Sequence, residues 1–252
     1  MRRPEDPACR HGPAMLLVCG LCCAAQAGQS DVTYHLGPAK PLSRFDRAKI
    51  ALLEKLNRAD AVHLARLKRV IVPNRWDLDP LAYSPMPLMV PELSGQSKAL
   101  VVDLFGQVFG AYEFGNLVRW GPVSSGDSRH QTPAGLYHLN WNARIRISSE
   151  NDSWVMPWYF NFSSKLGLGL HQYTLPGRPA SHGCVRMLST DAKWLFRWGE
   201  GWIMTSGRQI LQHGTPVLIV GSYDFGGSRP WLRPGWWARG VTLPASEMAG
   251  LR

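Results

Sequence analysis

The sequence predicts a mainly β domain preceded by a small helical region. Short runs rich in β-branched and aromatic residues begin near Lys98 and recur as far as Val220, whereas helical spacing dominates the segment before residue 97. The 252 residues are 45% hydrophobic and 18% charged, which is typical of one globular domain with a small appendage. This composition excludes a coiled coil, a collagen-like rod and an acidic disordered tail.

Residues 1–27 are predicted to be a secretory signal peptide. An apolar run from Ala14 to Ala25 follows three arginines, and Ala25-Gln26-Ala27 forms a small-x-small cleavage site. The run is shorter than the roughly 20 apolar residues that span a bilayer. An N-terminal helix or a misplaced start codon is the alternative. We therefore expect an exported protein of the periplasm or cell envelope, without a transmembrane segment.

Cleavage after Ala27 would leave one cysteine in the mature chain. Four of the five cysteines precede that point, so Cys184 would have no internal disulfide partner. A lone thiol in an oxidising compartment must be protected or used, because oxidation follows thiolate character and exposure. Cys184 is therefore the first candidate for a catalytic residue.

The formal net charge of +10 indicates anionic surroundings. For an exported chain, the anionic polymers and lipids of a bacterial envelope are better partners than nucleic acid. The basic residues are spread along the chain rather than clustered, so a solvated basic surface explains the charge equally well.

Residues 28–96 are predicted to form a helical N-terminal region followed by a Pro-rich linker. Ser43 and Asp46 resemble a capping box for a helix that continues to Asn57, and Asp60 can cap a second short helix. Val70–Pro73 is typical of a strand that ends at proline. Two helices and such a strand weakly resemble a LysM glycan-binding module. Residues 73–95 are expected to lie over the main domain as an extended linker.

The β domain is predicted to extend over residues 97–221. The expected strands are Ala99–Leu104, Gln107–Phe114, Asn116–Val123, Gly135–Trp141 and Thr215–Val220. One helix, Thr190–Trp198, is expected between them, with Ser189 as its N-cap and Gly199 at its end. The tail, residues 222–252, is rich in Gly, Pro and Trp and should wrap the domain without long regular elements. Its tryptophans Trp231, Trp236 and Trp237 form a candidate glycan-binding platform.

The most informative segment contains His171 and then Ser181-His182-Gly183-Cys184-Val185-Arg186. A thiol becomes a good nucleophile as the thiolate, and a nearby imidazole can generate it near neutral pH. Gly183 allows close backbone approach to a substrate, and Arg186 offers a planar fork for a carboxylate. These residue types suit acyl transfer through a thioester. A zinc site is the weaker alternative, because a fourth ligand at short spacing is missing; a buried inert cysteine is another.

Together these residues resemble the signature of the L,D-transpeptidase catalytic domain, the YkuD-like family. The family pattern is a His, a variable loop and then Ser/Thr-His-Gly-Cys, which corresponds here to His171, residues 172–180 and SHGCVR. Two upstream segments, Ser124-Ser125-Gly126 and Thr132-Pro133-Ala134-Gly135, are similar to the family's S-x-G and T-P-x-G segments. The resemblance covers about residues 97–221. It implies a curved β-sandwich with a catalytic loop at its rim and one packed helix.

The resemblance also implies roles for individual residues. The catalytic roles are Cys184 as nucleophile, His171 as general base, the backbone carbonyl of Gln172 as the group that orients His171, His182 in the local hydrogen-bond network, and the amides of Gly183 and Cys184 in the oxyanion hole. The substrate-binding candidates are Arg186, Ser181, which should also support the loop, and Trp158, which could wall the cleft together with Trp154. No metal and no cofactor is expected.

The implied substrate is a peptidoglycan stem tetrapeptide. Attack on the bond between its third residue and the terminal D-Ala would release D-Ala, and an amine of a second stem would then complete a 3-3 cross-link. A free D-amino acid, a lysine of an envelope protein or water could accept the acyl group instead. The alternatives are an L,D-carboxypeptidase or peptidoglycan hydrolase on the same scaffold, and a non-catalytic peptidoglycan-binding module.

Overall fold

The computed structural model describes residues 32–39 and 41–243. The predicted signal peptide, with its four cysteines, lies outside the described residues. Within the part of the chain that is described, no helix combines the length and the apolar character needed to cross a membrane.

The predicted mainly β fold is confirmed. The strands are β1 Tyr34–Pro38, β2 Arg69–Pro73, β3 Ala99–Asp103, β4 Val108–Glu113, β5 Asn116–Ser124, β6 Gly135–His138, β7 Asn142–Ile147, β8 Val155–Ser163, β9 Leu168–Gln172, β10 Val185–Met187, β11 Ile203–Met204, β12 Ile210–Gln212 and β13 Pro216–Val220. The α-helices are α1 Arg47–Asn57, α2 Ala61–Leu64, α3 Ser189–Trp198 and α4 Trp236–Arg239. Nine strands form one sheet in the order β6-β13-β3-β4-β5-β10-β9-β8-β7.

This sheet is strongly curled. Strands β6 and β7 lie at its opposite edges, yet only residues 139–141 join them. The backbone N–H of Leu139 donates to Thr215, beside one edge, and that of Asn140 donates to Asn161, near the other. Because three residues span about 10 Å at most, the two edges must approach each other. The single sheet therefore has two layers, as the predicted curved sandwich requires.

Both faces of the central strands are buried. In β3, Leu100 and Val102 belong to the core beneath α3, whereas Val101 belongs to the core on the opposite face. A strand covered on both sides needs apolar residues at successive positions, which explains the continuous apolar run in β3. Helix α3 is anchored through Asp191, which is fully buried and lies 2.7 Å from the guanidinium of Arg119 in β5.

The N-terminal region has the order strand, helix, helix, strand. Strands β1 and β2 pair antiparallel, although the sequence did not indicate β1. Asp46, rather than Ser43, is the N-cap of α1, and its carboxylate accepts the N–H of Lys49 at 2.8 Å. Asp60 caps α2 as predicted, accepting the N–H of His63 at 3.0 Å.

The Pro-rich segment that follows β2 lies against the sheet, as expected. It contains two short 3-10 helices, Pro80–Tyr83 and Pro91–Leu93. Trp120 of β5 donates its indole N–H to the carbonyl of Pro80 at 2.7 Å, and the hydroxyl of Tyr112 donates to the carbonyl of Pro87 at 3.0 Å. These bonds fix the segment to the outer face of the sheet.

The C-terminal tryptophans surround Arg58 instead of forming a glycan platform. The guanidinium carbon lies 5.0 to 5.2 Å from the ring centroids of Trp231, Trp236 and Trp237. Trp231 and Trp236 are buried, and Trp237 stacks on Tyr34 with centroids 4.4 Å apart. Aromatic faces attract a cation, so the tail binds the end of α1. Burial lowers the pKa of Arg58 to about 9.

Candidate active site

The site is built on the two neighbouring parallel strands β9 and β10. Their register pairs Val185 with Leu170 and Arg186 with His171. Side chains that are in register on parallel strands share a face of the sheet, and alternate residues along one strand do so as well. Cys184, two residues before Arg186, therefore lies on the same face as His171. All three side chains line one pocket.

Most of the pocket wall comes from segments outside these two strands. Residues 148–150, after β7, and the half-buried Trp154 form one wall, and the turn at residues 166–168 forms another. Arg146, Met156, Tyr173, Ser181 and His182 also line the pocket. The cation of Arg186 lies 4.6 Å from the ring centroid of Tyr173. The pocket thus offers aromatic surface and fixed positive charge beside the thiol.

His171 is buried and held in one tautomer. Its Nδ1 lies 3.0 Å from the backbone oxygen of Gln172. A carbonyl oxygen only accepts hydrogen bonds, so the neutral imidazole carries its proton on Nδ1 and keeps the Nε2 lone pair free. Burial lowers the pKa of His171 to about 4, with a smaller lowering from Arg186 and an opposing effect of the Gln172 carbonyl. The imidazole is therefore neutral at pH 7, in the form that can accept a proton.

Cys184 is half-buried, and it is a free cysteine. Burial raises the pKa of its thiol; a hydrogen bond from the backbone of Gly169 and the charges of Arg146 and Arg186 oppose this rise. The resting pair is thus a thiol beside a neutral imidazole, not a preformed thiolate-imidazolium pair. Such a thiol needs a general base at the moment of attack.

The loop that carries Cys184 depends on Gly183. This residue has φ of +100°, and a Cβ there would lie 2.9 Å from Leu168. Its backbone N–H donates to Ser181 Oγ at 3.1 Å, and the Ser181 hydroxyl donates to the carbonyl of Cys184. The predicted substrate-binding hydroxyl of Ser181 therefore supports the loop. The Gly183 N–H, predicted for the oxyanion hole, has this internal partner in the structure.

The two upstream motif segments hold the same loop from outside. Thr132 donates its hydroxyl to the carbonyl of Gly183 at 2.8 Å and accepts the N–H of Gly126 at 2.9 Å. The carbonyl of Ser125 accepts the N–H of Ser181 at 3.0 Å. A Cβ at Gly126 would lie 1.9 Å from the carbonyl oxygen of His130, so the close approach needs glycine there. The motifs therefore shape the cysteine loop rather than supply reacting groups.

The N-terminal region binds the loop between His171 and Cys184. The backbone N–H of Asp60 donates to Leu175 at 3.0 Å, and the Asp60 carboxylate accepts the Leu175 N–H at 2.7 Å. Two residues after Leu175, Gly177 donates its N–H to the carbonyl of Arg58 at 3.0 Å. The loop between His171 and Cys184 is thus held on one side by a segment outside residues 97–221.

The prediction that Trp158 lines the cleft is wrong. Its ring packs edge-on against Phe196 of α3, with centroids 5.4 Å apart, and the pocket lining includes Trp154 instead. Trp158 has φ of +55°, which interrupts the alternation of side chains along β8. His182 lies at the exposed rim of the pocket, where its ring stacks on His130 with centroids 4.0 Å apart.

Sequence reasoning missed two pocket residues, Arg146 and Tyr173. The guanidinium of Arg146 lies over the rings of Trp141 and Tyr159, at 4.8 and 5.0 Å. The alternation Arg144, Ile145, Arg146, Ile147 is a strand signal that could have indicated β7. Tyr173 follows His171 by two residues, so it shares the face of the sheet on which His171 lies.

The chain is similar in sequence to one protein family and shows likeness to several solved structures. The family model described as YkuD, L,D-transpeptidase catalytic domain, matches residues 97–219. An L,D-transpeptidase from Stackebrandtia nassauensis is 25% identical with a TM-score of 0.42, and the alignment covers 51% of this chain and 57% of that one. One from Mycobacterium tuberculosis H37Rv is 20% identical with a TM-score of 0.40, covering 50% and 58%. One from Mycobacterium smegmatis is 16% identical with a TM-score of 0.40, covering 50% and 59%.

The chain thus spans less than three fifths of the length of each of these structures. None of the curated proteins compared with the sequence matches it. The family match covers just under half of the 252 residues, and it begins and ends within two residues of the domain predicted from the sequence. Residues 97–219 are an L,D-transpeptidase catalytic domain of the YkuD family.

Proposed function

We propose that this protein is a peptidoglycan L,D-transpeptidase that acts on stem tetrapeptides through a thioester on Cys184. One observation carries the proposal: Cys184, His171 and Arg186 share one face of β9 and β10 and open into one pocket of a domain with the family's sequence signature. The protonation states of the pair, a thiol and a neutral imidazole, suit a base-assisted attack.

The first half of the reaction forms the acyl-enzyme. Sγ of Cys184 attacks the carbonyl carbon of the third stem residue, while Nε2 of His171 takes the thiol proton. The bond from that carbon to the nitrogen of D-Ala breaks, and the imidazolium returns the proton to the leaving amine. D-Ala departs and a thioester remains. The Gln172 carbonyl keeps the ring in the tautomer that this transfer requires.

The second half transfers the acyl group to an amine. The side-chain amine of a second stem attacks the thioester carbon and gives its proton to His171. The bond from carbon to Sγ breaks, and the thiolate regains a proton from the imidazolium. The product is a 3-3 cross-link. With water as acceptor the same steps would yield a tripeptide. The outcome therefore depends on whether the site positions an amine or a water molecule next to the thioester carbon.

Backbone N–H groups of the cysteine loop would stabilise the oxyanion of both steps. The Gly183 N–H can serve if Ser181 Oγ releases it when the substrate oxygen arrives, and the Cys184 N–H is the second candidate. Arg186, which lies over Tyr173 in the pocket, would bind a carboxylate of the donor stem. His182 would line the entrance rather than transfer a proton.

The proposed setting is the bacterial envelope. The signal-peptide pattern of residues 1–27 and the net charge of +10 favour an exported protein that meets anionic cell-wall polymers. Stem peptides would be its partners, and envelope proteins with accessible lysines are candidate acceptors. Cross-linking of this kind would contribute to cell-wall biogenesis and cell shape.

The test incubates the full chain with a disaccharide-tetrapeptide and identifies the products by mass spectrometry. Cys184→Ala is the inactive control, and His171→Gln tests the base. We expect a dimer linked through the third residues, together with free D-Ala, from the wild type only. If the tripeptide is the only product, the activity is that of a carboxypeptidase rather than a transpeptidase. If the substrate remains intact and the Cys184→Ala variant still binds sacculi, the protein is a peptidoglycan-binding module rather than an enzyme.

A second readout monitors the thiol directly. One of the similar structures is described as an L,D-transpeptidase in complex with imipenem. We expect the intact mass of this protein to increase by one inhibitor when it is exposed to a carbapenem, and Cys184→Ala to show no increase. An unchanged wild-type mass would contradict an activated thiol.

A further inference from the structure

Three side chains with metal-binding groups converge at the outer rim of the pocket: Asp127, His130 and His182. One ligand atom of each lies within 4.8 Å of those of the other two. His130 Nδ1 is 3.0 Å from Asp127 Oδ1. Ligand bonds of about 2.0 to 2.1 Å place neighbouring ligand atoms of a tetrahedral zinc ion about 3.3 Å apart. Small side-chain rotations would therefore bring the three groups onto one ion.

The backbone around these residues is already ordered. Asp127 donates its N–H to the carbonyl of Ser181 at 2.8 Å, which joins the Asp127 loop to the cysteine loop. Asp127 Oδ1 accepts the N–H groups of Arg129 and His130, both at 2.9 Å. These bonds use one oxygen of the carboxylate and leave Oδ2 for a ligand. Because the loops are joined before any ion binds, little chain entropy is lost on binding.

The set of donors points to a particular class of ion. Two imidazoles with one carboxylate suit zinc and similar divalent transition metals, whereas calcium and magnesium prefer all-oxygen sites. Asp127 is partly exposed and both histidines are exposed, so an ion can reach them from solvent. We propose that Asp127, His130 and His182 form a zinc-binding site at the mouth of the pocket, with water at the fourth position.

This site is separate from the proposed catalytic pair. Neither Cys184 nor His171 belongs to the cluster, so the ion can bind whether or not the protein transfers acyl groups. His182 nevertheless lines the pocket and lies two residues from Cys184. A bound ion would fix its ring at the rim, next to Trp154, whose centroid lies 4.6 Å away. It would also add two positive charges where a substrate enters.

The test is calorimetric titration of the full chain with zinc chloride after removal of metals by a chelator. All proteins carry Cys184→Ala, which removes the catalytic thiol as a ligand. His130→Gln and Asp127→Asn test the site; both changes fall on accessible side chains, and circular dichroism checks the fold. His213→Gln is the matched control. His138 and His213 form another close imidazole pair, with centroids 4.6 Å apart, but neither belongs to the cluster of Asp127, His130 and His182.

We expect one zinc site whose affinity falls at least about tenfold in His130→Gln and in Asp127→Asn, since even outer partners of metal ligands contribute about 10 to 100-fold. His213→Gln should bind as the reference protein does. Cobalt should give a tetrahedral visible spectrum that His130→Gln loses. Equal affinity and stoichiometry in all variants would overturn the proposal, and so would a loss confined to His213→Gln. The muropeptide assay tests the proposed function independently, because it needs no zinc.

Discussion

Asp60 should control the reactivity of Cys184 although it lies in the N-terminal region. Its carboxylate caps α2 by accepting the N–H of His63, lies 2.8 Å from Nδ1 of the His63 ring, and accepts the N–H of Leu175 at 2.7 Å. Leu175 belongs to the loop between His171 and Cys184, the proposed base and nucleophile. We therefore expect Asp60→Ala to lower both the stability of the protein and the rate at which Cys184 is acylated.

The magnitude follows from the helix cap and the contact with Leu175. Loss of an N-cap costs about 0.5 to 2 kcal/mol. A hydrogen bond to a charged acceptor contributes about 1.5 to 3 kcal/mol, and here the buried Leu175 N–H would lose its partner. The free energy of unfolding should therefore fall by about 2 to 5 kcal/mol. A displacement of the loop by 1 Å can cost about a hundredfold in rate, so we expect a 10 to 100-fold slower acylation.

Two variants separate these effects. Asp60→Ser keeps a cap, because a serine hydroxyl accepts the same helix N–H, but its shorter side chain does not reach Leu175. It should recover about 1 kcal/mol of stability without recovering the rate. Asp46→Ala removes the matching cap of α1, where the Asp46 carboxylate contacts Lys49 of the same helix. It should lose about 1 kcal/mol and keep the wild-type rate within about twofold.

The assay has two measurements. Tryptophan fluorescence monitors unfolding in urea, and intact mass spectrometry monitors acylation by a carbapenem at a temperature where every variant is folded. A wild-type acylation rate in folded Asp60→Ala would refute the view that the N-terminal region positions the catalytic loop. An equal loss of rate in Asp46→Ala would refute it as well, because general destabilisation would then explain both variants.

Four further predictions concern the site and the core. Alkylation of Cys184 by iodoacetamide should keep rising with pH through the alkaline range, because burial raises the pKa of its thiol; a plateau by pH 7 would contradict this. The acylation rate plotted against pH should decrease on the acid side with a midpoint near the lowered pKa of His171, about 4, since the imidazole accepts a proton only above that pKa. A midpoint near pH 6.5 would contradict this assignment. Gly183→Ala should abolish acylation in a folded protein, because the residue has φ of +100° and a Cβ would contact Leu168 at 2.9 Å; a normal rate would refute this. Arg58→Met should destabilise the protein by about 2 to 4 kcal/mol in urea denaturation, because it leaves the carbonyls of Gly106 and Leu56 without their donor; an unchanged midpoint would show that these bonds contribute nothing.

Several elements were predictable because their signals are local. The apolar runs of β3, β4, β5 and β13 indicated strands, and the helical spacing before Asn57 indicated α1. The caps were less predictable. Both Ser43 and Asp46 are good N-cap residues, and only the backbone conformation places Asp46 at the helix start. Likewise α3 begins at Ser189, with Leu188 rather than Ser189 at the N-cap position.

Strands β7 to β10 were not predicted, and for β8 and β9 there is a physical reason. Pro157 and Gly169 are weak strand formers in β8 and β9, and the positive φ of Trp158 interrupts β8. Their pairing partners supply the stability that the local sequence lacks. Gly169 illustrates this, because a Cβ there would lie 2.5 Å from the ring of Tyr159 on β8. The glycine is required by a neighbour that is distant in sequence.

The sequence by itself determined the chemical identity of the site. Cys184, His171 and the surrounding motif are contiguous enough for their residue types and spacing to indicate thiol chemistry and the family. Tertiary structure decided the environment: which nitrogen of His171 is free, that burial keeps Cys184 protonated, that Trp154 rather than Trp158 lines the pocket, and that Asp60 holds the loop. Burial, tautomer and hydrogen-bond partners depend on residues far apart in the chain, and only the curled sheet brings these together.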